Sequence, residues 1–132
     1  MQAFLYFDLT AATTYRKALP EQVQQEFPAV AVLDIDAQSS ELVLHYALRL
    51  LRESEKAVIY ITTDATVIGF GTIMPLLEEL FQSQENRLML LDGEHPRLLR
   101  MFQARPQVQF KQVNEEEALE EAKQFLVDSN LI

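Results

Sequence analysis

The chain has no cysteine and no tryptophan among its 132 residues. Without cysteine it cannot form a disulfide framework, a redox-active CxxC pair, a thiolate metal site or a cysteine nucleophile. Glycine is also scarce, at three residues, and the sequence shows neither a Gly/Ser-rich linker nor an internal repeat. We therefore predict a single domain over residues 1–132, which is long enough to bury a core without disulfides or metals.

Positive charge is in short supply as well. There are 11 Lys and Arg residues against 20 Asp and Glu residues, which gives a net charge of −9. A polyanion would be repelled over most of such a surface, so we do not expect a nucleic-acid partner. The two histidines lack the spacing of a zinc site, and no G-x-S-x-G nucleophile elbow occurs.

Long hydrophobic runs are missing too. No stretch reaches the roughly 18 uninterrupted apolar residues of a membrane span. The first residues, Met1 to Asp8, lack the basic region and small-residue cleavage site of a signal peptide. We therefore expect a soluble, cytoplasmic protein with no membrane partner.

Short apolar runs alternate along the chain with stretches of helical periodicity, which is typical of βαβ units. The runs cover residues 3–7, 29–35, 57–62, 88–91 and 108–113. The first four are apolar on both faces, as in a covered parallel sheet, and the fifth contains polar residues and fits an edge. The prediction is a three-layer α/β/α sandwich with a five-stranded parallel sheet in the flavodoxin-like order 2-1-3-4-5. A Rossmann-like order is the alternative.

Three of the helices have informative sequences. Pro20 predicts either a short Thr-rich helix before it or a helix that starts at Pro20. The second helix is predicted over residues 39–53, with His45 at the edge of the core and a broad buried face made of Leu42, Leu44, Ala47, Leu48 and Leu51. The last helix is predicted to start after Asn114 as N-cap, with Glu117 at the third position, and residues 114–128 hold six acidic residues and one lysine.

Acidic and hydroxyl side chains follow the predicted strands. Open α/β sheets bind ligands at the carboxyl ends of their strands, and carboxylates there could hold Mg²⁺ together with a substrate phosphate. The same residue types also serve as turn formers and helix N-caps, which is the competing interpretation. The candidate ligand-binding residues are Asp8, Thr10, Asp36, Glu41, Thr63, Asp64 and Asp92.

The segment around the third helix, residues 67–81, is apolar on nearly every side. Such a helix is either deeply buried in its own domain or covered by a second subunit. The candidate dimer-contact residues are Ile68, Phe70, Ile73, Leu77 and Phe81. Our leading hypothesis is a homodimeric, non-catalytic module that acts through protein contacts. The alternative is an enzyme or binding protein for a small phosphorylated or nucleoside ligand at the strand ends, and Mg²⁺ is expected only in that case.

Overall fold

The computed structural model describes residues 2–8, 18–36, 41–63, 74–82, 86–93, 95–105 and 108–128, with the backbone alone at Asp36 and Asp128. Strands and helices alternate through these ranges. The strands are β1 (Gln2–Asp8), β2 (Ala31–Asp36), β3 (Lys56–Thr62), β4 (Arg87–Asp92) and β5 (Gln109–Gln112). The helices are α1 (Ala18–Glu26), α2 (Glu41–Glu53), α3 (Met74–Gln82), α4 (Pro96–Gln103) and α5 (Glu115–Asp128).

The strands form one parallel sheet in the order β2-β1-β3-β4-β5. This confirms the flavodoxin-like order and excludes the Rossmann-like alternative. β1, β3 and β4 are almost entirely buried, as their two-sided apolar sequences require, whereas the polar strand β5 lies at the edge.

The helices cover both faces of the sheet, which confirms the three-layer sandwich. One face carries α2, α3 and α4, whose buried side chains pack on Leu5, Ile59 and Met89. The opposite face carries α1 and α5, which pack on Phe4 and Val58. Alternate residues of each strand therefore belong to two separate cores.

The start of α5 matches its predicted capping box. The backbone N–H of Glu117 donates to Oδ1 of Asn114 at 2.8 Å, and the backbone N–H of Asn114 donates to Oε1 of Glu117 at 3.2 Å. His95 caps α4 by accepting a hydrogen bond from the backbone N–H of Leu98 at its Nδ1. Helix α1 starts two residues before Pro20, which lies in its first turn, close to the second of the two predictions. The Thr-rich alternative falls outside the described residues.

Side chains at the amino ends of β3 and β4 donate hydrogen bonds to carbonyl oxygens at the carboxyl ends of two helices. Arg87, the first residue of β4, donates to the carbonyl oxygens of Leu51 and Ser54 at 2.7 and 2.8 Å, at the end of α2. Lys56 donates to the carbonyl oxygen of Phe125 in the last turn of α5. Positive charge is favourable at both places because the helix dipole is negative there.

The predicted buried face of α2 is confirmed at Ala47 and Leu51, which are buried, and at Leu44 and Leu48, which pack against the same core, but two residues differ from the prediction. Leu42 was predicted on the buried face, but 81% of it is exposed, and His45 is exposed rather than at the core edge. The buried stripe is formed by Ala47, Leu50 and Leu51. Because this stripe occupies the side of the helix that meets the sheet, the helical period of 3.6 residues places Leu42 on the outside.

Candidate functional site

The carboxyl ends of four strands bring polar residues into one row. Asp8 of β1 is in register with Asp36 of β2 and with Thr62 of β3, and Thr62 is in register with Asp92 of β4. Strand alternation assigns these positions to the face that carries α1 and α5. Three of the predicted ligand-binding positions, at Asp8, Asp36 and Asp92, thus share one row of the sheet.

Two tyrosines lie one step below this row. Tyr6 and Tyr60 are in register on neighbouring strands, and their rings stack with centroids 5.0 Å apart. The hydroxyl of Tyr60 donates a hydrogen bond to Oδ2 of Asp92. Asp34 of β2 is the register partner of Tyr6 on its other side. The α1/α5 face is therefore polar at the end of the sheet and apolar below it.

Both tyrosines are held in the neutral form. Burial is the largest cause that raises the pKa of Tyr6, and the negative charges of Asp8 and Glu115 add to it. Burial also raises the pKa of Tyr60, followed by its hydrogen bond to Asp92, since phenolate would face a carboxylate. At neutral pH both hydroxyls keep their protons, so neither tyrosine supplies a phenolate nucleophile or base, and Tyr60 acts as a hydrogen-bond donor to Asp92.

The carboxyl ends of β3 and β4 are joined by a backbone hydrogen bond just beyond the row of polar residues. The backbone N–H of Thr63 donates to the carbonyl oxygen of Asp92 at 2.9 Å. Gly93 follows with a φ of +107°, and a Cβ there would lie 1.9 Å from the carbonyl oxygen of Thr63. Only glycine allows so close an approach at this φ. Thr63 is buried and, by alternation, on the opposite face from Asp92.

A cleft of about 870 Å³ opens beside this face, between the first turns of α1 and α5. Glu115, which contributes to the raised pKa of both tyrosines, is one of its lining residues. The others are Ala18, Gln22, Asn114, Glu116, Leu119 and Glu120. Three of these lining residues are glutamates, and two, Ala18 and Leu119, are apolar.

The remaining predicted ligand-binding residues do not join this row. Glu41 is exposed at the start of α2, on the other face of the sheet. Thr10 and Asp64 lie outside the described residues. Within the ranges that the structure describes, no three His, Cys, Asp or Glu side chains are placed to hold a metal ion.

The two predicted dimer-contact residues that the structure describes, Leu77 and Phe81, pack within their own chain. Leu77 is 2% exposed and packs in the core of its own chain, so its side chain offers no surface to a second subunit. Phe81 is half-buried against the ring of Phe102, at 5.2 Å between centroids. The described outer positions of α3 are Pro75, Glu78 and Gln82. Ile68, Phe70 and Ile73 lie outside the described residues.

Helix α2, beside α3, carries the most exposed apolar surface found in the described ranges. Leu42 is 81% exposed and Tyr46, one turn later, is 52% exposed. Val127 of α5, at 41%, is the next. A groove of about 520 Å³ runs along the same helix and is lined by His45, Leu48, Arg49, Arg52 and Glu53. We refer to Leu42, Tyr46 and this groove as the α2 surface.

Sequence reasoning missed the two tyrosines and the α2 surface. Tyr6 and Tyr60 occupy equivalent places in two apolar strands, and a polar hydroxyl near the carboxyl end of each was the available signal. Leu42 and Tyr46 are four residues apart, which marks a helical stripe. The sequence alone could not tell whether that stripe faces the sheet or the solvent.

Fold and site together define a flavodoxin-like α/β/α sandwich with an acidic, tyrosine-containing rim. Comparison with protein-family models, with curated proteins and with solved structures gave no match for this chain. Among the described residues, none of the helices has the length and apolarity needed to cross a membrane.

Proposed function

We propose that this chain is a protein-contact module that forms a homodimer. The observation that carries the proposal is the exposure of Leu42 and Tyr46 on α2. Large aliphatic and tyrosine side chains that project from a regular helix into water are stabilised when a partner covers them. Isologous pairing with a second copy is the most frequent way in which soluble proteins achieve this.

The location of α2 links this proposal to the apolar segment noted in the sequence. Helices α2 and α3 are neighbours on one face, where Arg52 and Glu79 form a salt bridge at 3.0 Å. The segment 67–73 leads directly into Met74, the first residue of α3. The burial of Leu77 supports a contact surface formed by α2 rather than by the described part of α3.

Sedimentation equilibrium of the wild type and of Leu42→Ala tests the proposal. We expect a monomer–dimer equilibrium at micromolar concentration, and a dissociation constant at least about 100-fold higher in the variant, because each dimer loses two leucine contacts of about 1.5 kcal/mol each. Val127→Ala is the matched control, since it truncates an exposed apolar side chain on α5 without adding charge and should leave the equilibrium unchanged. A wild type that stays monomeric up to millimolar concentration contradicts the proposal.

Binding of a small molecule at the rim is the second candidate function. It is favoured by the burial of Asp8, which is 7% exposed, and by the hydrogen-bonded pair of Tyr60 and Asp92 on the neighbouring strands. The described carboxylates Asp8, Asp92 and Glu115 repel phosphate, so a nucleoside without phosphate suits this rim better than a nucleotide.

A thermal-shift comparison of nucleosides with nucleotides plus Mg²⁺ tests this second candidate. A ligand at 100 times its dissociation constant should add about 2.7 kcal/mol to the free energy of unfolding. We expect stabilisation by a nucleoside and less by the corresponding nucleotide. An unchanged melting temperature with the whole series contradicts the candidate, while a stronger effect of the nucleotides contradicts the electrostatic argument.

A further inference from the structure

We infer that the two copies pair through α2 against α2, antiparallel, with the two-fold axis near His45, so that Leu42 of each copy fills the groove of the other. This inference rests on the proposed homodimer and specifies its interface. The occupant of the α2 surface is thus a second copy of the same chain.

The groove has the residue spacing of a helix-packing hole. His45, Leu48, Arg49 and Arg52, four of its lining residues, follow the i, i+3, i+4, i+7 pattern. Four residues of one helix in this pattern receive one side chain of a facing helix. The most exposed apolar side chain of α2, Leu42, is the side chain available to enter such a hole.

Position along the helix fixes the direction of the pairing. Leu42 lies in the first turn of α2 and the groove is centred between Leu48 and Arg49. A two-fold axis perpendicular to the helix at about His45 places Leu42 of one copy opposite the groove of the other. Parallel helices would instead set each Leu42 beside its own copy and leave both grooves unfilled.

Charge favours the same direction. The first turn of α2 carries Glu41, and its second half carries Arg49, Arg52 and Glu53, with Arg49 paired to Glu53 and Arg52 paired to Glu79 of the same chain. Antiparallel pairing brings Glu41 of each copy towards the half of the other helix that has a net positive charge, whereas parallel pairing brings like charges together. The neutral Tyr46 lies close to the axis, where each residue approaches its own copy.

Because the chain has no cysteine, single cysteines report this geometry without background. His45→Cys lies near the axis and should give a disulfide-linked dimer on mild oxidation, which requires the two Cα atoms to approach within about 7 Å. Glu53→Cys is the control at the far end of the same exposed face. Its two copies would be separated by about 24 Å along the helices at 1.5 Å per residue, so it should stay uncrosslinked.

Sedimentation of the same variants under reducing conditions separates the two proposals. A dimer with efficient crosslinking at His45→Cys and none at Glu53→Cys supports the inference. A dimer that crosslinks at neither position, or more efficiently at Glu53→Cys, overturns the antiparallel α2 interface and leaves the proposed homodimer intact. A monomer in sedimentation overturns both. Circular dichroism of each variant establishes that the fold is retained.

Discussion

Gly93 lies at the closest approach of two strand ends. We expect Gly93→Ala to lower the free energy of unfolding by at least about 2 kcal/mol, because the new Cβ would collide with the Thr63 carbonyl at a φ that alanine rarely adopts. Denaturant titration measures the effect. Asn86→Ala is the control, since Asn86 also has a positive φ, of 61°, and already carries a Cβ. Equal losses in the two variants would contradict a steric role for Gly93.

His95 should make stability sensitive to mild acid. Burial lowers the pKa of His95 in the folded chain, while its neutral Nδ1 accepts the cap hydrogen bond from Leu98. The folded state therefore resists protonation, so the stabilisation is complete above the unfolded pKa of about 6.5 and is lost as the pH falls through and below that value.

His95→Asn isolates this effect, because asparagine is a good N-cap that does not titrate in this range. We expect the wild type to lose more stability than His95→Asn between pH 7.5 and pH 5.5 by urea titration, while both lose the same contribution from their shared carboxylates. Parallel pH profiles for the two proteins would rule out titration of His95 as the cause.

For single residues, the sequence predicted the aspartates at the strand ends but not the tyrosines beneath them. Asp8 and Asp92 were predicted at the rim because both directly end apolar strands. The tyrosine stack beneath them depends on the register of β1 against β3, and register between parallel strands is set by packing across the whole sheet rather than by local sequence.

At the scale of elements, α5 depends on its capping box. Replacing Asn114 with alanine removes the acceptor for the Glu117 N–H, and we expect a loss of about 1 kcal/mol in the free energy of unfolding. Asn114→Ser keeps an acceptor at the N-cap without adding a charge beside the three glutamates of the first turn, and should stay within about 0.5 kcal/mol of the wild type. Thermal unfolding followed by far-UV circular dichroism compares the three proteins. An Asn114→Ser variant as unstable as Asn114→Ala would contradict a role for the cap acceptor.

The elements themselves were largely predictable, since two-sided apolar runs and capping residues are local signals. The borders of their buried faces were not. In α2 the sequence offers apolar residues on more than one side, and only packing on the sheet decides that Leu50 joins the predicted Leu51 in facing inward and that Leu42 faces out. The helix-end interactions of Arg87 and Lys56 were also beyond prediction, because they join positions far apart in sequence.

At the scale of the whole molecule, one sheet serves two cores. Leu51 belongs to the α2 side, whereas Tyr6 and Tyr60 belong to the α1/α5 side and supply the tyrosine signal once Tyr15 and Tyr46 are replaced by phenylalanine. We expect Leu51→Ala to cost about 2–5 kcal/mol and to shift tyrosine near-UV and far-UV signals together, because strands shared by both cores make unfolding a single cooperative transition.

Leu126→Ala is the reciprocal control, since Leu126 is equally buried in the α1/α5 core. It should shift both signals in the same way. Separate tyrosine and far-UV midpoints in either variant would mean that the two layers unfold independently, against a single domain.

The hydrogen bond from Nε2 of Gln2 to the carbonyl oxygen of Leu126, at 2.9 Å, sets the beginning of the first strand beside the end of the last helix. Because the two partners are 124 positions apart in the sequence, this hydrogen bond forms only when both the first strand and the last helix are in place. The start of the central sheet and the last helix therefore stabilise one another, and fraying of α5 would show itself first as loss of order at Gln2.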